Sequence, residues 1–228
     1  MSVAFFDLDR TVIDLNSGLP WARSEWRLGY ISSTQLMRAS WWLFKYHLGW
    51  SALEDSLRHA IYLLRDQRVS DFEQRVAEFY HTIVAHRVRP EAYEAINAHK
   101  ARGDEVVLLT TSSQQLSEHF RRDLSLDAVL ANRFEMKDGL FTGLPDGPLC
   151  FGAGKLNAAI RYLERYDITL EECSFYTDSY ADLPLLEEIG MPRIVCPDRK
   201  LKAHARRCDW PILNWSLHTP TSSTHLPT

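Results

Sequence analysis

With 228 residues, 45% of them hydrophobic, the chain is too apolar for global disorder and fits one domain, or a core carrying one insertion. A formal net charge of −4 and a pI near 6.1 give no general reason to expect a nucleic-acid partner. Asp7, Asp9 and Arg10 interrupt the stretch a signal peptide would need unbroken, and no run reaches the roughly 18–20 apolar residues of a membrane span. A cytoplasmic protein is therefore expected.

In chain order, SVAFFDL (Ser2 to Leu8) reads as a buried strand that ends on the alternating carboxylates Asp7 and Asp9. From Ser17 to about Val88 long helical periodicities take over, and five of the seven tryptophans fall there, Trp21, Trp26, Trp41, Trp42 and Trp50. This stretch reads as a separate small helical unit. The run Trp41-Trp42-Leu43-Phe44 reads mainly as packing, with an apolar surface for a greasy substrate, a lipid headgroup region or a dimer partner as the sharper option. After Arg89-Pro90 strands and helices alternate. A helix opens on Pro90 and stops at Gly103, and Glu105–Leu109 is a buried strand running into Thr110-Thr111-Ser112-Ser113. A helix is expected near Gln115–Leu124, a strand near Ala128–Leu130, and a hairpin over 133–145 turning at Asp138-Gly139. Helix Lys155–Tyr166, strand Cys173–Thr177, helix Leu183–Ile189, strand Arg193–Val195 and helix Asp198–Arg207 complete the pattern. Such alternation implies an α/β fold, a parallel sheet covered on both faces, with chemistry at the carboxyl ends of its strands. The tail from Ser216 is polar, rich in Pro, Ser and Thr, and expected to be disordered. Cys150, Cys173, Cys196 and Cys208 show no zinc spacing and are expected as reduced thiols.

The chemistry gathers in a few places. Asp7 and Asp9 in Asp7-Leu8-Asp9-Arg10-Thr11 stand two apart, so on an extended segment both carboxylates point to one side. Such a pair is also a common accident, and held close it needs a cation or a shared proton. A second strand, Phe175-Tyr176-Thr177, delivers Asp178, with Asp182 four residues on; the bland reading makes both helix caps. Carboxylates from two strand ends suit a hard cation such as Mg²⁺. The Thr110 hydroxyl and the amides after it can hold a phosphate oxygen, although a TTSS run is usually a loop or cap. Lys155, in Gly152-Ala153-Gly154-Lys155, can neutralise charge beside the acids, whereas a lone lysine is usually solvated.

The order DxDxT, strand-end Thr, Lys, DSxxD resembles the four motifs of the haloacid dehalogenase superfamily. A helical insert directly after the first motif resembles its phosphoserine-phosphatase-like branch, subfamily IB. The phrases FFDLDRT, CFGAGK and FYTDSYADLP are similar to a bacterial subgroup of that branch, and the likeness covers about residues 3–214. It implies a Rossmann-like three-layer core over 1–16 and 88–215, with a small helical cap, 17–87, inserted after the first strand, and a 216–228 tail. It implies Asp7 as nucleophile, Asp9 as acid and base, and Mg²⁺ held by Asp7, the main-chain oxygen of Asp9 and Asp178. Asp182 would support the metal, while Thr110 and Lys155 would hold phosphoryl oxygens. Thr11, Thr111, Arg10, Asn16 and Arg58 are further candidates for phosphate or substrate contact.

Two positions depart from the resemblance. The branch meets its substrate amine with a Glu, where this chain has Asn16, and its substrate carboxylate with a cap Arg, where this chain has Ala60. Losing both charge-assisted contacts, about 1.5–3 kcal/mol each, argues against phosphoserine unless Arg58 or His59 compensates. Arg10 stands where the superfamily commonly has glycine. The expected function is Mg²⁺-dependent hydrolysis of a small phosphomonoester, including amino-acid-derived ones such as histidinol phosphate or phosphoserine. The alternatives are a phosphotransferase using the same intermediate and a non-catalytic regulator that binds a phosphorylated ligand. The expected partner is that small phosphorylated substrate, the oligomer a monomer or a dimer, and the cap is expected to hinge near Asp14–Ser17 and Val88–Pro90.

Overall fold

The computed structural model describes residues 2–48 and 53–217, with the side chains of 42–48 and 53 left out of the description. Its strands are β1 (Val3–Phe6), β2 (Glu105–Ser113), β3 (Ala128–Asn132), β4 (Phe134–Lys137), β5 (Leu140–Pro145), β6 (Ser174–Thr177), β7 (Met191–Val195) and β8 (Ile212–Leu213). Six of them make one sheet in the order β3-β2-β1-β6-β7-β8, every pair parallel, while β4 and β5 form a separate hairpin. The chain leaves β1 for β2 and β3 on one side, then returns to β6 on the other. The crevice at that reversal, beyond the carboxyl end of β1, is where an open parallel sheet binds its ligand.

The helices are α1 (Gly18–Arg27), α2 (Ser33–Leu48), α3 (Leu53–Tyr62), α4 (Val69–Phe79), α5 (Pro90–Ala101), α6 (Gln114–Asp123), α7 (Ala153–Leu163), α8 (Leu183–Leu186) and α9 (Arg199–Arg207). β1 is buried throughout because it is covered on both faces, which its unbroken apolar sequence requires. Side-chain alternation splits the core into two layers. Ala4, Phe6, Val106, Leu108 and Tyr176 pack with α4, α5 and α6, and Val3, Phe5, Val107, Leu109 and Phe175 pack with α7, α8 and α9.

Local chemistry explains the boundaries. Pro90 occupies the first turn of α5, and Gly103 follows its end at φ +76°. The Ser113 hydroxyl caps α6 by accepting from the Leu116 N–H, so the TTSS run is both the end of β2 and a helix cap. Asp138 and Gly139 turn the hairpin with positive φ at both residues, as a two-residue turn demands. β7 begins earlier than the sequence pattern suggested, at Met191, with Pro192 inside it. α8 is a single turn preceded by a 3₁₀ turn, Tyr180–Asp182. The two-residue β8 was not anticipated, since two residues carry no periodicity.

The expected hairpin stands apart from the main sheet: Phe141 and Gly139 exchange backbone hydrogen bonds with Asp66, Gln67 and Val69, between α3 and α4. The two segments expected as hinges are bonded to each other. Asp14 N–H donates to the Arg87 carbonyl, Arg89 N–H donates to that of Val12, and Arg87 Nε lies 2.7 Å from the buried Asp14 carboxylate. α4 also runs on through a π turn, Tyr80–Val84, whose Tyr80 and Val84 are buried in the core. The tail is fixed one step further than expected, because Ser216 N–H donates to Glu91 and its carbonyl accepts from Arg89, 2.6 Å away. Residues 218–228 of the expected disordered tail lie outside the described residues, as do Trp50 and the side chains of Trp42, Leu43 and Phe44. Trp41 is exposed. All four cysteines are free thiols, Cys150 and Cys173 buried and Cys208 exposed. Among the described residues no helix is long and apolar enough to cross a membrane.

Under the sheet, α5 buries His99 with Nδ1 2.9 Å from Asp104 and Nε2 3.0 Å from the Tyr176 hydroxyl. One donor and one acceptor suit a neutral ring. Burial, the largest cause, holds its pKa below the ordinary 6.5, against the pull of Asp104. A lowered folded pKa means the unfolded chain takes the proton first, so this stabilisation is complete above about pH 6.5 and is lost as pH falls through the folded value. His119, lowered by burial as well, acts in the same direction. The melting temperature should fall between pH 7 and pH 5.5, and His99→Gln should flatten part of that dependence; equal slopes in the two proteins would refute the assignment.

Candidate active site

Four segments converge at the carboxyl end of the sheet. β1 delivers Asp7 and Asp9, β2 delivers Thr110, the start of α7 delivers Lys155, and the segment after β6 delivers Asp178 and Asp182. All six line one cavity of about 650 Å³ between the sheet and helices α1–α4. Asp7 and Asp9 face it together, though not through strand geometry. β1 ends at Phe6, and the chain then winds back so that Val12 and Ile13 donate to the carbonyls of Asp7 and Leu8. Arg10 sits in this turn at φ +61°, a left-handed conformation that costs a side-chain-bearing residue about 1–2 kcal/mol and explains why glycine suits the position. Arg89 holds the turn by donating to the Arg10 carbonyl, 3.2 Å away.

Lys155 is the hub. Its Nζ lies 2.7 Å from Asp7 Oδ1 and 2.8 Å from Asp182 Oδ2, and all three residues are buried. The glycines before it are structural: Gly152 takes φ +53°, and a Cβ on Gly154 would lie 1.9 Å from the Leu149 carbonyl oxygen. Lys155 is therefore no solvated lysine. Asp182 stands at the N-cap position of α8 but its side chain makes no cap hydrogen bond; the carboxylate accepts from Lys155 and from the Thr177 hydroxyl, 2.6 Å away.

Burial dominates the electrostatics. It raises the pKa of Asp7, with Asp182 and Asp9 adding to the shift and Lys155 opposing it. Asp178 is raised well above the ordinary carboxylate value, first by burial and then by the charge of Asp7, so the two carboxylates feel each other directly. Asp9 is raised by burial, offset by the Ser17 hydroxyl and N–H, each 3.1 Å from its oxygens. Lys155 is raised because its acidic neighbours outweigh its burial.

The donor set fits a hard divalent cation. Two buried, mutually repelling carboxylates at adjacent strand ends lack enough positive charge, and Mg²⁺ needs only one or two carboxylates with other oxygens completing its shell. No group of three or more His, Cys, Asp or Glu side chains suited to a metal occurs among the described residues.

The other candidates divide. Thr111, Arg10 and Asn16 line the cavity. Thr11 is fully buried with its hydroxyl unpartnered, and it does not reach the cavity wall. Arg58 is corrected. It lies on the outward face of α3, 2.8 Å from Glu54 one turn earlier, while Ser56, Leu57, His59 and Ala60 line the cavity. Sequence reasoning missed Ser17, which anchors Asp9. It also missed Asp198, whose N–H donates to the Asp178 carbonyl and whose carboxylate accepts from Tyr180 N–H at 2.7 Å. An Asp before a helix signals a cap, which Asp198 also is, but nothing local reveals that it braces the loop after β6.

The model of the haloacid dehalogenase-like hydrolase family matches residues 4–187. The chain belongs to that family. It is 34% identical over 226 residues to the inhibition of morphological differentiation protein of Streptomyces azureus, across 96% of this chain and 79% of the other. It is 32% identical over 218 residues to a probable phosphatase of Mycobacterium tuberculosis (strain ATCC 25618 / H37Rv), across 94% and 76%. A solved structure described as a phospho-aspartyl intermediate analogue of phosphoserine phosphatase superposes with a TM-score of 0.70 at 21% identity, across 92% of this chain and 91% of that one. The Rossmann-like α/β core expected from the family is thus the fold observed.

Proposed function

We propose that the protein is a Mg²⁺-dependent phosphatase that hydrolyses a small phosphomonoester through an aspartyl-phosphate on Asp7. The observation that carries this is the convergence of Asp7, Lys155 and Asp182 within 2.8 Å contacts, beside Asp9, Thr110 and Asp178 in one cavity. Kinship to a probable phosphatase supports the same reading.

Asp7 Oδ attacks phosphorus, the bond from phosphorus to the alcohol oxygen breaks, and Asp9 gives its proton to the leaving oxygen. Burial raises the Asp9 pKa above the ordinary carboxylate value, the direction a proton donor needs. The resulting Asp9 carboxylate then takes a proton from water, whose oxygen attacks phosphorus and breaks the bond to Asp7. Inorganic phosphate leaves, with Asp7 regenerated and Asp9 protonated again. Lys155, the Thr110 hydroxyl and the amides after it hold phosphoryl oxygens as charge redistributes. Asp7, Asp178 and the Asp9 main-chain oxygen would hold Mg²⁺, which supplies charge neutralisation at the phosphoryl group. Residues 17–87 serve as the cap, which shields the site from water over a core of 1–16 and 88–215.

Chelation should abolish phosphate release from an aryl phosphate, and added Mg²⁺ should restore it. Mg²⁺ alone should also raise the melting temperature by several degrees, since an ion at 100 times its Kd adds about 2.7 kcal/mol of stability. Turnover unaffected by chelator, with no thermal shift, would remove the metal from this account. Adding acceptor alcohols and analysing products separates hydrolysis from phosphotransfer, and turnover itself eliminates a purely binding regulator.

A further inference from the structure

Given phosphomonoester hydrolysis at Asp7, the rest of the cavity wall sets the chemistry of the alcohol portion. We propose that this portion is a predominantly apolar aryl or alkyl body seated against α1, α3 and α4, and not an amino-acid zwitterion.

Among the residues lining the cavity are Trp21, Ile61, Leu64, Phe72, Phe79 and Phe134. Trp21 meets Phe72 and Phe79 edge to face, with ring centroids 5.5 Å and 5.2 Å apart, so the aromatic surface is already formed and fixed. A substrate ammonium would need a free carboxylate here. Among the described residues Glu25 is the one carboxylate that α1–α4 bring to the cavity. Arg75 already engages it, with Nε at 2.8 Å and Nη2 at 3.3 Å. Arg75 is held in turn by Gln67 at 2.7 Å and by the Tyr30 ring, 3.6 Å from its guanidinium carbon. Glu25 and Arg75 are 3% and 7% exposed, so parting them for a ligand would strand a buried charge. Asn16 offers an amide whose oxygen already accepts from Gly18 N–H, and Ala60 offers a methyl group. The basic residues Arg38, Arg199 and Lys200 line the cavity from exposed positions, where they favour approach of an anionic phosphate. A volume of about 650 Å³ suits a body far larger than a three-carbon amino acid.

The test is equilibrium binding of n-alkylphosphonates from two to ten carbons, which cannot be hydrolysed, to the full chain with Mg²⁺. Initial rates with the matching alkyl phosphates and with phosphoserine run in parallel. Affinity should rise about threefold to fourfold per methylene until the wall is filled. kcat/KM for octyl phosphate should exceed that for phosphoserine by about 100-fold or more, the product of several such methylene steps. Trp21→Ala should flatten the series. Leu57→Glu, a charge at a half-buried position on the same wall, should flatten it too if the tryptophan variant fails to fold. A flat series in the wild type, or preference for phosphoserine, overturns the apolar substrate while leaving phosphatase chemistry standing if aryl phosphates are turned over. A rising series without turnover of any ester overturns the phosphatase reading and upholds apolar recognition.

Discussion

Asp7→Asn should lower phosphate release by about 10⁴-fold or more with the fold retained, because in the proposed mechanism it removes the atom that bonds to phosphorus. The change is nearly isosteric, and Lys155 keeps its second partner, Asp182, 2.8 Å away. Stability should therefore move little. In the wild type, quenching during turnover should trap a protein-bound acyl phosphate that hydroxylamine cleaves, and the variant should show none. Asp9→Asn should differ in kind: it leaves the nucleophile intact and removes the proton donor, so esters with poor leaving groups should suffer far more than aryl esters. Activity of Asp7→Asn above one part in a hundred, in protein whose melting curve matches the wild type, would sink the nucleophile assignment.

Lys155→Ala should be costly to both fold and chemistry. Lys155 Nζ bridges Asp7 and Asp182, and none of the three side chains exceeds 9% exposure. Removing one partner of a buried ion pair typically costs 3–5 kcal/mol, about 10 °C in melting temperature for a chain of this size. Asp7 would also lose the charge that holds its pKa down, so the acid limb of the kcat/KM profile should move to higher pH. Mg²⁺ should stabilise the variant more than the wild type, since a second cation near the same carboxylates replaces part of the missing charge. A variant that melts within a degree of the wild type, with an unshifted pH profile, would show that the lysine is not the electrostatic hub the distances describe.

How far these roles were legible in the sequence differs by residue. Asp7, Asp178 and Lys155 stood at the ends of apolar strands or the start of a helix, positions that periodicity can find. Asp182 was ambiguous, because four residues after Asp178 a carboxylate serves equally as a cap. Its partners, Lys155 and Thr177, decide the matter, and Lys155 is 27 residues away in the chain. Arg58 was misplaced because two residues of helix are about a 200° rotation: Ala60 lines the cavity, while Arg58 turns outward to Glu54. Glu25 and Arg75 escaped notice because a pair 50 residues apart on two helices leaves no local trace.

The sequence by itself determined the alternation of strands and helices, the buried parallel sheet and the acids at its strand ends. Those depend on side-chain period and on backbone restrictions at proline and glycine, which act over a few residues. Only the tertiary structure decided that the hairpin packs between α3 and α4, that residues 12–14 and 87–89 are tied together, and that Glu25 is already paired inside the cavity. Each of these depends on which distant groups share a low-dielectric space, where a charge or hydrogen-bonding group must find its partner.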